Sequence, residues 1–185
     1  MTKALVIIDV QNAILEGKRT PERQSHIDAG LNETVTRLQR LQERARMTGA
    51  PIVMVQHDGD KGHRLAVGGA GWAIRAEVAP GPDEVVVHKK SCDAFFGTDL
   101  ADRLAERNVT HLVVGGCMTQ FCVDTTVRRA VSLGYHVTLI SDGHSTADMG
   151  DLAFDQIIAH HNATLDGFDA GNHSVEVRAA REIEF

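Results

Sequence analysis

Short runs of aliphatic residues recur along the chain, separated by polar stretches and by segments with helical spacing. The first run, Ala4 to Ile8, is apolar at every position, which is typical of a strand buried on both faces of a parallel sheet. Val175 and Val177 indicate a weaker strand near the end of the chain. The same kind of run predicts four further strands, at residues 52–55, 84–88, 111–114 and 136–140.

Segments with helical periodicity lie between these strands. Apolar residues recur three or four positions apart from Ile27 to Ala45, which predicts an amphipathic helix of about six turns that ends near Gly49. The polar residues 12–24 before it are predicted to form a loop. Three more helices are predicted: residues 99–107 with Thr98 as N-cap, a helix from Gln120 that stops at Gly134, and residues 152–161.

This alternation of strands and helices is typical of βαβ units with right-handed crossovers. We therefore predict a three-layer α/β/α, Rossmann-like fold with a mainly parallel sheet of about six strands. A length of 185 residues suits a single domain, residues 1–185.

The composition narrows the classes of function. A net charge of −6 leaves no basic footprint for nucleic acid, and no apolar run approaches the length of a membrane span. The first apolar run is too short for a signal-peptide core, and three cysteines without such a signal indicate free thiols rather than disulfides. We therefore expect a soluble, cytoplasmic protein that binds neither nucleic acid nor membranes.

Chemically distinctive side chains follow several predicted strands. Asp9, His57, Lys89 and Cys122 all lie at or just beyond the ends of strands, and in a parallel sheet these C-terminal ends share one edge. An acid, a cation and a thiol at one edge are a plausible set for covalent catalysis. Each also has a structural alternative, since Asp9 could cap a turn and Cys122 could be a small packing residue.

Cys122 follows a glycine turn after the fourth strand and lies in the first turn of the predicted helix. The N–H groups and partial positive charge at a helix start favour a thiolate over a thiol, and Lys89 would add to this effect. Backbone N–H groups around Met118 and Cys122 could also point at an oxyanion formed on a bound carbonyl.

Residues 59–82 are rich in Gly and Pro and contain Trp72. A long irregular segment in a compact domain is usually functional or disordered. We interpret this segment as a substrate-covering loop, in which Trp72 either faces the substrate or anchors the loop to the core.

Three segments carry a resemblance to a known family. They read LVIIDVQN near the N-terminus, HKKSCDAFFGTDL in the middle and VVGGCMTQFCVDTTVRRAVSLGYHVTLISDG after it. In content and order they resemble the isochorismatase-like cysteine hydrolase superfamily. That superfamily includes nicotinamidases, N-carbamoylsarcosine amidases, ureidoacrylate and biuret amidohydrolases, and isochorismatases.

The resemblance implies an Asp-Lys-Cys triad at Asp9, Lys89 and Cys122. Lys89 matches better than Lys90, because the family's lysine lies six residues before the first phenylalanine of the Ala-Phe motif. It also implies a cis peptide bond between Cys117 and Met118, with the N–H groups of Met118 and Cys122 forming an oxyanion hole. The implied reaction is hydrolysis of a small amide, imide or ureido compound through a thioester on Cys122.

Two departures from family members narrow this expectation. Nicotinamidases carry an Asp-x-His metal site after the second strand, whereas this chain reads Gln56-His57-Asp58-Gly59 there. We therefore predict no metal and no other cofactor, and we disfavour a nicotinamidase. Isochorismatases generally lack the nucleophilic cysteine, so Cys122 favours an amidase.

Further roles are predicted for residues outside the triad. A small-molecule substrate is expected to contact a wall formed by His57, Trp72, Phe95 and Phe121, and the family suggests a homo-oligomer, either a dimer or a tetramer. His144 either lies near the same edge or is a loop residue. Cys92 and Cys117 are expected to be structural, although Cys117 is close enough in sequence to be an oxidation partner of Cys122. The alternatives to an amidase are an enol-ether hydrolase of the isochorismate type and a non-catalytic thiol redox or binding module.

Overall fold

A computed structural model describes residues 2–185 as one sheet of seven strands with helices on its two faces. The strands are β1 Thr2–Ile8, β2 Ile52–His57, β3 Val85–Lys89, β4 Val109–Cys117, β5 His136–Ser145, β6 Asp169–Ala170 and β7 His173–Arg178. The helices are α1 Pro21–Thr48, α2 Leu100–Ala105, α3 Asp124–Ser132 and α4 Phe154–Leu165. Shorter helical turns span Ala76–Val78, Thr119–Val123 and Ala180–Glu182.

The strand order is β3-β2-β1-β4-β5-β7-β6, with the apolar strand β1 between β2 and β4. Every pairing is parallel except that of β6 with β7. The predicted fold class is therefore confirmed, and the sheet has one strand more than expected. The additional strand, β6, has two residues, too few to produce a recognisable hydrophobic run.

Each face of the sheet has its own hydrophobic core, because successive side chains of a strand point to opposite faces. In β1, Leu5 and Ile7 pack against α1, whereas Val6 and Ile8 pack against the side covered by α2 and α3. The continuous apolar run that predicted β1 is thus explained by burial on both faces.

Helix α1 is longer than its apolar periodicity indicated. It begins at Pro21, so the prediction of a loop through residue 24 was wrong. Proline is well accepted in the first turn of a helix, where its missing N–H would have no intrahelical partner. Residues 21–26 are almost all polar, so they carry no periodic signal. The helix ends as predicted at Gly49, which adopts the left-handed conformation with φ 72°.

Strands β4 and β5 also continue beyond their predicted ends, to Cys117 and Ser145. The prediction that β4 stops at a turn at Gly115 was wrong, because Gly116 still pairs with β1. Gly116 has φ 124°, and a Cβ there would lie 2.0 Å from the carbonyl oxygen of Ile8. Only glycine fits this close approach of two backbones.

Within residues 2–185, no helix is both long enough and apolar enough to cross a bilayer.

Candidate active site

The ends of strands β1, β3 and β4 bring three chemically distinctive side chains together. Asp9 directly follows β1 with φ 51°, and its N–H donates to Val55 O at 2.8 Å. Lys89 is the last residue of β3, and Cys122 lies in the turn after β4. Residues 80 positions apart in the sequence meet here because β3, β2, β1 and β4 are consecutive in the sheet.

The Lys89 ammonium is the hub of this arrangement. Its Nζ donates to Asp9 Oδ2 at 2.6 Å, to Ser91 O at 2.9 Å and to Cys122 Sγ at 3.2 Å. An ammonium has three N–H donors, so all three are used. The adjacent Lys90 differs in placement, because its side chain is 77% exposed and its closest carboxylate is 3.9 Å away.

Burial raises the pKa of Asp9 above its usual range, and the charge of Lys89 offsets this only in part. Burial lowers the pKa of Lys89, but the charges of Asp9 and Cys122 outweigh it, so the net direction is upward. Lys89 therefore remains a cation that stabilises one negative charge nearby.

The pKa of the Cys122 thiol depends on its burial and on its charged neighbours. Burial raises its pKa, the charge of Asp9 raises it further, and Lys89 opposes both without reversing them. Lys89 thus favours the thiolate, as expected from the sequence, but burial and the charge of Asp9 outweigh its effect. The three groups share one negative charge, with the proton on Cys122 when Asp9 is a carboxylate.

The second oxygen of Asp9 is available to accept that proton. Asp9 Oδ2 accepts from Lys89, whereas Oδ1 is buried and has no hydrogen-bond partner in the described part of the chain. A buried carboxylate oxygen without a partner is unfavourable unless something at the site uses it. Together with the raised pKa, this makes Asp9 suited to take a proton and return it.

The turn that carries Cys122 is a π-helical turn, Thr119–Val123, and α3 begins only at Asp124. The prediction that a regular helix starts at Gln120 was wrong in this detail. The peptide bond between Cys117 and Met118 is cis. The carbonyl of Met118 accepts from the N–H groups of Phe121 and Val123, at 3.1 and 3.2 Å.

A family model described as Isochorismatase domain matches residues 3–166, which is most of the chain. The chain belongs to the isochorismatase family. It is 38% identical over 148 residues to a streptothricin hydrolase of Streptomyces noursei, an alignment that covers 80% of this chain and 51% of that protein. The chain thus spans about half the length of this relative.

Two further comparisons agree with the isochorismatase family assignment. A ureidoacrylate amidohydrolase of Variovorax paradoxus is 26% identical over 194 residues, covering 89% of this chain and 76% of that protein. The crystal structure of an isochorismatase from Pseudomonas putida superposes with a TM-score of 0.83 and 30% identity, covering 98% of this chain and 89% of the other.

Among the four residues proposed for the substrate wall of this isochorismatase family member, His57 interacts with the charges of Lys89 and Asp9. It is the last residue of β2 and is half-buried. Burial lowers its pKa, and the charge of Lys89 lowers it further, while Asp9 opposes the shift. His57 is therefore favoured in its neutral form beside these charged groups.

Two buried glutamines, to which the sequence analysis gave no role, bind the backbone of His57 and Trp72. Gln11 Oε1 accepts from the N–H of His57, and Gln11 Nε2 donates to the carbonyl of His57, both at 3.0 Å. The amides of Gln11 and Gln56 each donate to Trp72 O at 2.8 Å. The only available signal was their position next to strand ends, Gln11 being two residues beyond Asp9.

Trp72 anchors the irregular segment 59–82 to these strand ends. Its Nε1 donates to Asp58 Oδ1 at 2.8 Å, and its ring stacks on His88 with centroids 5.9 Å apart. The sequence left open whether Trp72 faces the substrate or anchors the loop. The structure shows the anchoring contacts, and contact with a substrate stays a prediction.

The two phenylalanines proposed for the wall differ in exposure. Phe121 is 38% exposed on the turn next to Cys122. Phe95 packs against the hydrophobic core on the face covered by α2 and α3. Its ring stacks on Tyr135, with ring centroids 5.9 Å apart. Its neighbour Phe96 is 72% exposed. Phe121 is thus the more accessible of the two proposed contacts.

The stretch that aligns with the nicotinamidase metal site is used for protein contacts. Asp58 Oδ1 accepts from Trp72 Nε1 and also lies 3.0 Å from His88 Nδ1. A Cβ at Gly59 would lie 2.4 Å from His63 Nδ1, so no larger residue fits there without movement. Over residues 2–185, no group of three or more His, Cys, Asp or Glu side chains is arranged to hold a metal ion.

The other cysteines and His144 have distinct surroundings. Cys117 is fully buried, and burial raises the pKa of its thiol to about 12. Cys92 is exposed and does not contribute to either hydrophobic core. His144 is buried within β5, beside Gly116 of β4, and is not a loop residue.

Proposed function

We propose that this protein is a cysteine-dependent hydrolase that cleaves a C–N bond of a small amide, imide or ureido substrate through a thioester intermediate. The observation that carries the proposal is the placement of Lys89 Nζ, which donates to both Asp9 Oδ2 and Cys122 Sγ at the C-terminal edge of the sheet. Ligands of open α/β sheets bind at this edge.

The first step makes the acyl-enzyme. Asp9 Oδ1 takes the thiol proton of Cys122 as Sγ attacks the substrate carbonyl, which becomes a tetrahedral oxyanion. The N–H groups of Met118 and Cys122 are proposed to donate to that oxyanion. The C–N bond then breaks, Asp9 returns the proton to the departing amine, and a thioester remains on Cys122.

The second step releases the acid. Asp9, again a carboxylate, removes a proton from a water molecule that attacks the thioester carbonyl. The C–S bond breaks, the acid leaves, and the proton passes from Asp9 back to Sγ. Lys89 stays protonated throughout, because its raised pKa keeps a positive charge beside whichever of Asp9 and Cys122 is negative.

The name of one relative, a ureidoacrylate amidohydrolase, supports a C–N bond as the target, and the name of another, a streptothricin hydrolase, supports hydrolysis. We place His57, Trp72, Phe95 and Phe121 around the substrate, with Phe121 as the most exposed contact. On the family resemblance we propose that the protein is a dimer or tetramer, and on the lack of a recognisable signal-peptide core we propose that it acts in the cytoplasm.

A non-catalytic thiol sensor is the alternative from another class. A sensor would need a reactive thiol, but it would need neither a buried lysine nor a buried carboxylate oxygen without a partner. The placement of Asp9 Oδ1 therefore favours hydrolysis. Within enzymes, release of ammonia or an amine separates amide hydrolysis from enol-ether hydrolysis, which releases pyruvate from isochorismate.

The deciding experiment is intact-protein mass spectrometry with a panel of small amides, ureides, nicotinamide and isochorismate. A Cys92→Ala background removes the exposed competing thiol. We expect a substrate-derived mass on Cys122 in samples that are quenched with acid during turnover, and none in Asp9→Asn, because Asp9 is the proton acceptor in the first step as well as in the second. Cys122→Ala should carry no adduct and form no product. Unchanged turnover in Cys122→Ala would refute the proposal.

A further inference from the structure

A chain of buried hydrogen bonds lies behind the turn that carries Cys122. Thr119 Oγ1 lies 2.9 Å from His144 Nδ1, and His144 Nε2 lies 2.9 Å from Asn162 Oδ1. Asn162 Nδ2 donates to Ser141 O at 2.9 Å. Thr119 and His144 are each 1% exposed. The proposed reaction gives none of these side chains a role.

The carbonyl of Ser141, the last group in this series of hydrogen bonds, determines which atom donates in each of them. The carbonyl of Ser141 only accepts, so the amide nitrogen of Asn162 faces it and Oδ1 faces His144. His144 must then donate from Nε2, which leaves Nδ1 of the neutral ring as an acceptor. Thr119 therefore donates its hydroxyl proton to His144 Nδ1.

The surroundings of His144 also favour its neutral form. Burial lowers the pKa of His144 to about 4, and the hydrogen bond with Asn162 offsets this only in part. The single tautomer with a proton on Nε2 is thus present across the neutral range. A fully satisfied buried network of this kind holds its members in one arrangement.

These hydrogen bonds connect the turn to two elements that carry none of the triad residues. Thr119 is the first residue of the turn and lies three positions before Cys122. His144 belongs to β5 and Asn162 to α4. The N–H groups of Phe121 and Val123 donate to the adjacent carbonyl of Met118. Beyond the turn, Cys122 Sγ accepts from Lys89 Nζ, and the exposed Gln120 Nε2 lies 3.7 Å from Met149 Sδ. The hydrogen bonds through His144 therefore tie the turn to β5 and α4.

We infer that Thr119, His144 and Asn162 form a positioning relay, which holds the Thr119–Val123 turn so that Cys122 Sγ stays within reach of Lys89 Nζ and the turn's N–H groups stay aimed at the substrate. This inference rests on the proposed hydrolase function. None of the three side chains is assigned a contact with the substrate, so their effect is through Cys122. A displacement of about 1 Å at a reacting group can lower a rate by about a hundredfold.

Four variants separate the links of the relay. Thr119→Val removes the hydroxyl and keeps the shape of the side chain. His144→Asn places an amide oxygen near the position of Nδ1, so it retains the acceptor for Thr119 and loses the bond to Asn162. His144→Gln reaches toward Asn162 and leaves Thr119 without its acceptor. His144→Leu removes both bonds.

We expect Thr119→Val, His144→Gln and His144→Leu to lower kcat by about tenfold or more while KM changes by less than about threefold, since the loss is in placing the nucleophile. His144→Asn should retain kcat within about threefold of wild type, because the link to Thr119 survives.

A second buried threonine–histidine pair provides the matched control. His111 Nε2 lies 2.7 Å from Thr138 Oγ1, and both side chains are buried, His111 on β4 and Thr138 on β5, toward the opposite edge of the sheet. Thr138→Val should lower the melting temperature about as much as Thr119→Val. It should leave kcat unchanged, which separates positioning from a general loss of stability.

Alkylation of Cys122 by iodoacetamide gives a readout that needs no substrate. It should slow about fivefold or more in Thr119→Val and His144→Gln, because Sγ moves away from the Lys89 cation that stabilises its thiolate. His144→Asn and Thr138→Val should alkylate at the wild-type rate. If no amide is hydrolysed even by wild type, the proposed function fails and the alkylation rates still test the relay. Equal alkylation rates in Thr119→Val and Thr138→Val would overturn the relay, even if amides are turned over.

Discussion

Lys89 Nζ and Asp9 Oδ2 lie 2.6 Å apart, and their side chains are 0% and 1% exposed. An ion pair withdrawn from water in this way depends on both partners, because each offsets part of the desolvation of the other. The negative charge of the pair can move from Asp9 to the half-buried thiol of Cys122 when Asp9 takes the thiol proton.

Removal of Lys89 is expected to destabilise the fold. In Lys89→Met, the Asp9 carboxylate is buried without a counter-ion, so the free energy of unfolding should fall by about 3 kcal/mol or more. Urea denaturation at neutral pH measures this. Lys90→Met, at the exposed neighbouring position, should change it by less than about 0.5 kcal/mol. Equal stabilities of the two variants would mean that Asp9 and Lys89 are not paired in solution.

The stability of the protein is expected to decline below neutral pH because of His144. Its pKa is about 4 in the folded chain, below the ordinary 6.5, so the unfolded chain binds a proton first as the pH falls. The stability that neutral His144 contributes is fully present above pH 6.5 and is lost progressively down to pH 4. Over this range the free energy of unfolding should decrease by about 3 kcal/mol. His144→Asn should flatten this slope in denaturation curves across that range. Parallel slopes for the two proteins would contradict the assignment.

The three thiols are expected to react in a definite order. Cys92 is exposed and should be alkylated first, whereas Cys117 is fully buried and, with a pKa near 12, should react only on unfolding. A time course of iodoacetamide labelling followed by peptide mass spectrometry measures each rate, and Cys92→Ala shows which signal belongs to Cys122. Labelling of Cys117 at the rate of Cys92 in folded protein would exclude this burial. The same burial argues against Cys117 as the oxidation partner of Cys122.

The anchoring of the irregular segment 59–82 is expected to depend on Gln11. Gln11→Met removes three hydrogen bonds to His57 and Trp72, each contributing about 1 kcal/mol, so amide exchange near Trp72 should speed up at least about tenfold. Where a substrate is known, KM should rise. Gln42→Met is the control, because Gln42 is equally buried but bonds to residues 78, 79 and 84. Equal exchange near Trp72 in both variants would contradict this role.

Much of the molecule follows from the sequence alone. The apolar run of β1, the alternation of strands and helices, and the residues at strand ends predict the fold class and the shared edge on which Asp9, Lys89 and Cys122 lie. These features are local, because a strand buried on both faces must be apolar at every position and because parallel strands deliver their ends to one edge. Motif resemblance added the choice of Lys89 over Lys90.

The tertiary structure alone decided how these groups interact. The paired state of Lys89, the raised pKa of Cys122, the oxygen of Asp9 without a partner and the relay from Thr119 to Asn162 all arise from contacts between distant segments. Hydrophobic periodicity reports which face of an element is buried, but it does not report which polar atoms meet there. Hydrogen bonds and charges act over a few ångströms, so their effect is set by the packing of strands and turns rather than by any local pattern.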